Sequence, residues 1–209
     1  TDRIDEKGEA EHMADICMGK QAVVSSVVKE QKKVSPPKLY DLTTLQRDAN
    51  RLFGLTAKQT LEATQSLYEK KLVTYPRTDS QYLTEDMEQT ARNVVRQIYE
   101  KYQLTGPFDQ PEQPDVKKVM NNSKVTDHHA IIPTMELTSC HMDELKSWEE
   151  KILFLIAVHT VMAMSKDHIY QETEIEVECQ GEVFKTKGKT VLQDGWKIFE
   201  NCFKNKDRM

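Results

Sequence analysis

The spacing of hydrophobic residues changes period along the chain, and those changes divide it. Residues 1–18 are charged, with Ala10, Met13, Ala14 and Cys17 at helical spacing and Gly19 placed to stop the helix. Residues 22–34 are rich in valine (Val23, Val24, Val27, Val28) and predict a strand, which Ser35-Pro36-Pro37 breaks. A helical period follows. Leu42, Leu45, Ala49, Leu52 and Phe53 form a stripe that Asp41 or Thr43 can cap and Gly54 can end. Thr56 with Gln59 three residues on is a capping box for the next helix. Ala57, Leu61, Thr64 and Tyr68 are expected on its core face, with Gln65 and Glu69 sharing a polar edge. Thr84 opens a third helix with Met87, Ala91, Val94, Ile98 and Tyr102 as its stripe, and residues 106–114, with Pro107, Pro111 and Pro114, predict a loop. Ser147 and Glu150 suggest another capping box, before Ile152–Met164, which is apolar almost all round and predicts a buried helix. From Gln171 the period is two. Thr173, Ile175, Val177 and Cys179 alternate with Glu172, Glu174, Glu176 and Glu178, a half-exposed strand. Gln180-Gly181 turns into a second strand from Val183, and Asp194-Gly195 marks another turn before Trp196.

Strands at both ends with helices between predict an α+β fold, mainly helical. The economical arrangement is a β-rich module from residues 1–38 and 167–209, with a helical domain, residues 39–166, inserted into it. A chain of 209 residues can bury the core of one large domain or two small ones. The longest apolar run, Ile152–Met164, is too short to span a membrane and contains His159 and Thr160, so no membrane partner is expected. No signal peptide is visible, and a first residue of Thr1 suggests a piece of a longer protein. Cys17, Cys140, Cys179 and Cys202 form no C-x-x-C pair, which indicates neither zinc nor a disulfide framework and suits a reducing cytoplasm. A net charge of −5 argues against a protein that coats duplex DNA non-specifically. It leaves room for a local grip on one strand. Between Thr43 and Ser80 six basic residues outnumber four acidic ones, a mild bias.

The candidate chemistry lies in Val73-Thr74-Tyr75-Pro76-Arg77-Thr78-Asp79-Ser80. Pro76 holds Tyr75 in extended backbone, where residues two apart share a side, so Tyr75 and Arg77 are expected to project together. A guanidinium grips two phosphate oxygens through its planar fork and balances the charge that gathers on them. The plainer alternative is a surface aromatic beside a snorkelling arginine.

Thr74–Ser80 resembles the active-site segment of the type IA DNA topoisomerases. The preceding Gln65-Ser66-Leu67-Tyr68-Glu69 and the later Asp127-His128-His129-Ala130-Ile131-Ile132-Pro133-Thr134 also match, in the same order, and the wording is nearer topoisomerase III than topoisomerase I. The resemblance implies a fragment of a toroidal fold, in which a strand-rich arch carries a helical domain bearing the tyrosine. It implies that Tyr75 joins the 5′-phosphate of a cut single strand of DNA, with Arg77 and His128 at the phosphate and Gln65 and Glu69 orienting the segment. For His128 a capping or core role stays open, and for Gln65 and Glu69 a solvated helix edge. His129 is the lesser candidate of its pair. Thr78, Asp79 and Ser80 are expected to fix the loop through short side-chain-to-backbone bonds. Adjacent histidines diverge, so no metal site is assigned to them. The family's acidic domain, with the carboxylates that hold Mg²⁺ and its catalytic glutamate, has no counterpart here. Mg²⁺ is therefore expected outside this chain, and the chain alone is expected to fold without relaxing DNA. A non-catalytic single-stranded-DNA-binding module, with Tyr75 stacked on a base, is the second reading. A tyrosine recombinase is weaker, because here the tyrosine precedes the histidines.

Overall fold

The computed structural model describes residues 4–104 and 114–203, which fall into two compact units. Apart from Pro114, the loop expected at 106–114 lies outside the described residues, as does the start of the first helix.

The first unit comprises residues 1–34 and 169–193. Its helix α1 (Lys7–Cys17) has no fully buried residue, and Cys17 Sγ donates to the Cys179 carbonyl at 3.7 Å. Strands β1 (Val23–Val34), β2 (His168–Cys179) and β3 (Glu182–Gln193) form a sheet in the order β1-β2-β3, with β2 and β3 antiparallel. The hairpin turns at Gln180-Gly181, where φ is +53° and +86°, the two left-handed positions that a two-residue turn between right-twisted strands requires. The alternation along β2 has a clear use. Glu172, Glu174 and Glu176 stand opposite Lys189, Lys187 and Lys185 and pair with them at 3.9, 3.2 and 2.5 Å. Lys32 of β1 adds a further bond to Glu172, whose carboxyl these lysines hold below the usual carboxylate range against a smaller opposing effect of burial. Val23, Val24, Val27 and Val28 are each more than half exposed.

The second unit comprises residues 35–168 and 194–209. Helices α2 (Leu42–Phe53) and α3 (Ala57–Glu69) begin where the sequence predicts. Asp41 accepts from Thr44 N at 2.7 Å, Thr56 and Gln59 satisfy each other's backbone amides, and Gly54 ends α2 in the left-handed region. Helix α4 (Glu88–Tyr102) buries Ala91, Val94, Val95 and Ile98. Helix α5 (Ser147–Ala163) is buried on every side from Ile152 to Val158 and forms the middle of the core. His159 is stacked on the buried Tyr40 (3.7 Å between centroids, 15° between planes), and its Nε2 donates to the Lys38 carbonyl at 2.7 Å. Burial lowers the His159 pKa to about 4.

Three expectations are corrected. The strand-rich module expected over 167–209 ends at Gln193 among the described residues. Residues 195–203 form short 3₁₀ turns whose Phe199 and Phe203 meet Tyr99 and Phe154 at 6.1 and 5.9 Å, because these apolar side chains complete the helical core. Gly195 permits the turn: a Cβ there would lie 2.2 Å from the Asp167 carbonyl oxygen. Nor does Ser147–Glu150 cap α5. Glu149 reaches back instead, and Lys146 N donates to its carboxylate at 3.0 Å. Tyr68 is not on the core face of α3, which is made by Thr60, Ala63, Thr64 and Leu67, and is 39% exposed.

Candidate active site

The residues 72–80 form no regular element, yet almost every turn of their path is tied down. Val73 pairs with Pro133 in an isolated antiparallel bridge, Thr74 N donates to Ile132 O at 3.0 Å, and Thr134 N donates to Leu72 O at 3.0 Å. Thr74 adds its hydroxyl, which donates to Ala130 O and accepts from Ile132 N, both at 3.0 Å. On the far side, Ile131 N donates to Tyr40 O at 2.8 Å, so residues 130–134 run between Tyr40 and the tyrosine segment. Pro76 and Pro133 supply no amide hydrogen, and the threonine hydroxyl makes up part of that loss. Thr78 and Ser80 are buried at 7% and 4% exposure and act as fasteners. Thr78 Oγ1 donates to His128 O at 2.8 Å and accepts from Ser80 N, while Ser80 Oγ donates to Lys124 O at 2.8 Å.

This stitching places three rings together. The Tyr75 and His128 rings lie 4.2 Å apart at 41°, and Tyr68 meets Tyr75 edge-on at 5.4 Å and 80°. Tyr75 is half-buried and His128 exposed. Arg77 is exposed and donates to Gln65 Oε1 at 3.2 Å, and Gln65 Nε2 donates to Glu69 Oε1 at 3.1 Å. Gln65 and Tyr68 are three apart on α3, one turn of one face, so Tyr75 and Arg77 contact the same edge of that helix. A neutral amide, not a carboxylate, holds the guanidinium. Among the described residues Arg77 has no ion pair, and its charge stays available for an anion.

Other candidates lie apart. His129 turns to the Ala130 carbonyl at 2.9 Å, and Asp79 is exposed with no hydrogen bond or ion pair among the described residues. Two contributors escaped the sequence reading. One is Tyr68, whose adjacency to Glu69 on the polar edge was the available signal. The other is Glu149, which is fully buried and accepts from Ser66 Oγ at 2.7 Å and Lys70 Nζ at 2.6 Å, fastening the end of α3 to the start of α5. Burial works against its charge, but bonds from Lys70, Ser66 and the Lys146 amide outweigh it and hold the carboxyl below its ordinary pKa. No group of three or more His, Cys, Asp or Glu able to hold a metal ion is found among the described residues.

The family model described as DNA topoisomerase matches residues 1–209. The chain belongs to the type IA DNA topoisomerase family. Among its relatives, DNA topoisomerase 3 of Bacillus subtilis (strain 168) is 43% identical over 182 residues, 86% of this chain and 25% of the relative. DNA topoisomerase 3 of Bacillus licheniformis is 41% identical over 193 residues, covering 88% and 26% respectively. The structure is similar to that of full-length topoisomerase I from Thermotoga maritima, with a TM-score of 0.67 and 25% identity over 95% of this chain and 33% of that one. This topoisomerase chain thus spans about a quarter of the length of the curated relatives it matches. None of its described helices is long and apolar enough to cross a membrane.

Proposed function

We propose that this chain is the tyrosine-bearing part of a type IA topoisomerase that cuts one DNA strand, passes another through the gap and reseals it. The observation that carries the reading is the shared edge of α3, where the Tyr75 ring rests on His128 while Arg77 is held uncharge-paired through Gln65. In the reaction the Tyr75 phenolic oxygen bonds to phosphorus as its O–H proton leaves. The P–O3′ bond breaks, and the 3′ oxygen leaves with a proton. The product is a 5′-phosphotyrosine, and the 3′-hydroxyl reverses the step. One phosphoester replaces another, so no ATP is needed. The phenol starts as a weak nucleophile, its ordinary pKa being about 10. Arg77 balances charge on the equatorial oxygens, and His128, against the attacking ring, hydrogen-bonds the phosphate. Thr78 and Ser80 position the segment, Gln65 and Glu69 orient Arg77, and Asp79 and His129 border the strand. Mg²⁺ and its carboxylates belong, on this reading, to segments outside the described residues, as does the acidic domain. A cytoplasmic location with access to DNA is part of the same proposal.

The three-ring cluster also favours a second reading, a binding module in which Tyr75 stacks on an unpaired base. One substitution separates the two. With this chain exchanged for the matching region of the Bacillus subtilis relative, a labelled single strand is expected to form a covalent adduct through its 5′-phosphate on a denaturing gel. Tyr75→Phe keeps the ring and removes the nucleophile, and is expected to abolish the adduct. Persistent adduct in that variant would overturn the assignment and leave the stacking role.

A further inference from the structure

Beside the tyrosine segment, two lysines from distant parts of the sequence converge on one phenol. Lys38 Nζ lies 5.5 Å and Lys124 Nζ 4.9 Å from the Tyr82 ring centroid, and Lys124 also donates to the Tyr82 hydroxyl at 3.5 Å. Both lysines are exposed, Tyr82 is half-buried, and among the described residues neither lysine is ion-paired to a carboxylate. Two ammonium groups around one ring repel each other, and in a chain of net charge −5 acidic partners are plentiful. A pair of cations left uncompensated in such a chain is matched to an anion that is not part of it.

The cluster is built by the same stitching as the candidate active site. The Lys38 carbonyl is held by His159 of α5, the Lys124 carbonyl accepts from Ser80, and Tyr82 O accepts from Ala130 N at 2.9 Å. Burial tends to raise the Tyr82 pKa, but hydrogen bonds and charge from Lys124 and Lys38 lower it overall. The backbone from Tyr75 to Tyr82 spans at most about 25 Å, within a few nucleotides of one strand. With cations over it, the ring is poorly placed to stack on a base. What it presents is a hydroxyl between two ammonium groups.

We infer that Lys38, Tyr82 and Lys124 form a second phosphate clamp, which takes a backbone phosphodiester of the same single strand, within a few nucleotides of the phosphate that meets Tyr75. This rests on the reading given above for Tyr75. It adds that the strand is fixed at two separated points before the cut, so that the cleaved end stays aligned for resealing.

Salt dependence tests it on the chain itself. For single strands, log K falls against log salt with a slope of about −0.7 per phosphate contact. In anisotropy titrations with a fluorescent oligonucleotide, the Lys38→Gln, Lys124→Gln double variant is expected to reduce the slope by about 0.7, the share of one phosphate, and each single variant by part of that. Lys→Arg at both positions is expected to restore it. Lys58→Gln, on an exposed lysine of α3 paired with Glu62, is expected to change nothing, and circular dichroism checks that every variant is folded. Unchanged slopes in the double variant, with the strand still bound, would overturn the clamp and leave the Tyr75 reading intact. Absence of strand binding by the unsubstituted chain overturns it too, the adduct assay deciding the catalytic reading separately. Inorganic phosphate that competes at matched ionic strength while oligonucleotide does not bind would reassign the site to free phosphate and equally overturn the proposal.

Discussion

Among the described residues Arg77 has one partner, the Gln65 amide, and that choice of partner sets what the guanidinium can do. A carboxylate in its place would form an ion pair that an incoming phosphate must break. The amide holds direction without neutralising charge. Charge-assisted bonds of this kind are worth about 1.5–3 kcal/mol. In the chimeric enzyme, Arg77→Ala is expected to slow single-strand cleavage about ten- to a hundredfold, at roughly 1.4 kcal/mol per tenfold. Rapid-quench measurement of adduct formation checks this, and an unchanged rate would remove the role. At this scale the sequence was half legible. Pro76 predicts that Tyr75 and Arg77 project to one side, and both do touch residues of α3. The particular contacts from Tyr68 and to Gln65 do not follow from it, because they depend on how α3 lies against a segment with no period of its own.

Among the elements, α3 holds both halves of the candidate site, and Glu149 fixes the end of α3. Removing a buried member of an ion pair costs most when the other member is also trapped. Here Lys70 is 39% exposed by its side chain and can rehydrate, so Glu149→Gln is expected to cost about 1–3 kcal/mol and not more. Thermal or urea unfolding measures it. The Glu149 carboxyl is held below its ordinary 4.5, so it contributes stability above that pH and loses it as pH falls through the lowered value. The difference between parent and variant should therefore narrow on acidification below about pH 4.5, and a gap independent of pH would count against the ion pair. Thr56-Gln59 could be read as a capping box because both partners sit within one turn. Glu149 could not, since its partners Ser66 and Lys70 are 83 and 79 residues away in sequence.

For the whole molecule, the alternation along β2 and the apolar helix α5 made an α+β assignment possible from the sequence alone. The allegiance of residues 195–203 was hidden. Trp196, Ile198, Phe199 and Phe203 have no strand period, and only the core they pack against, beside Tyr99 of α4 and Phe154 of α5, explains where they go. The chain spans a quarter of its relatives, and no metal-binding cluster occurs among its described residues. Purified alone with Mg²⁺, it is expected to bind a labelled single strand without cutting it, as read by native and denaturing gels. Cleavage by the chain alone would mean that the described residues suffice for the chemistry. The two hydrogen bonds made by the Thr74 hydroxyl, one given and one received, have one more consequence. They sew the thread carrying the phenol to the thread carrying the imidazole, so neither can drift without the other, and any gate that swings here must carry both as cargo.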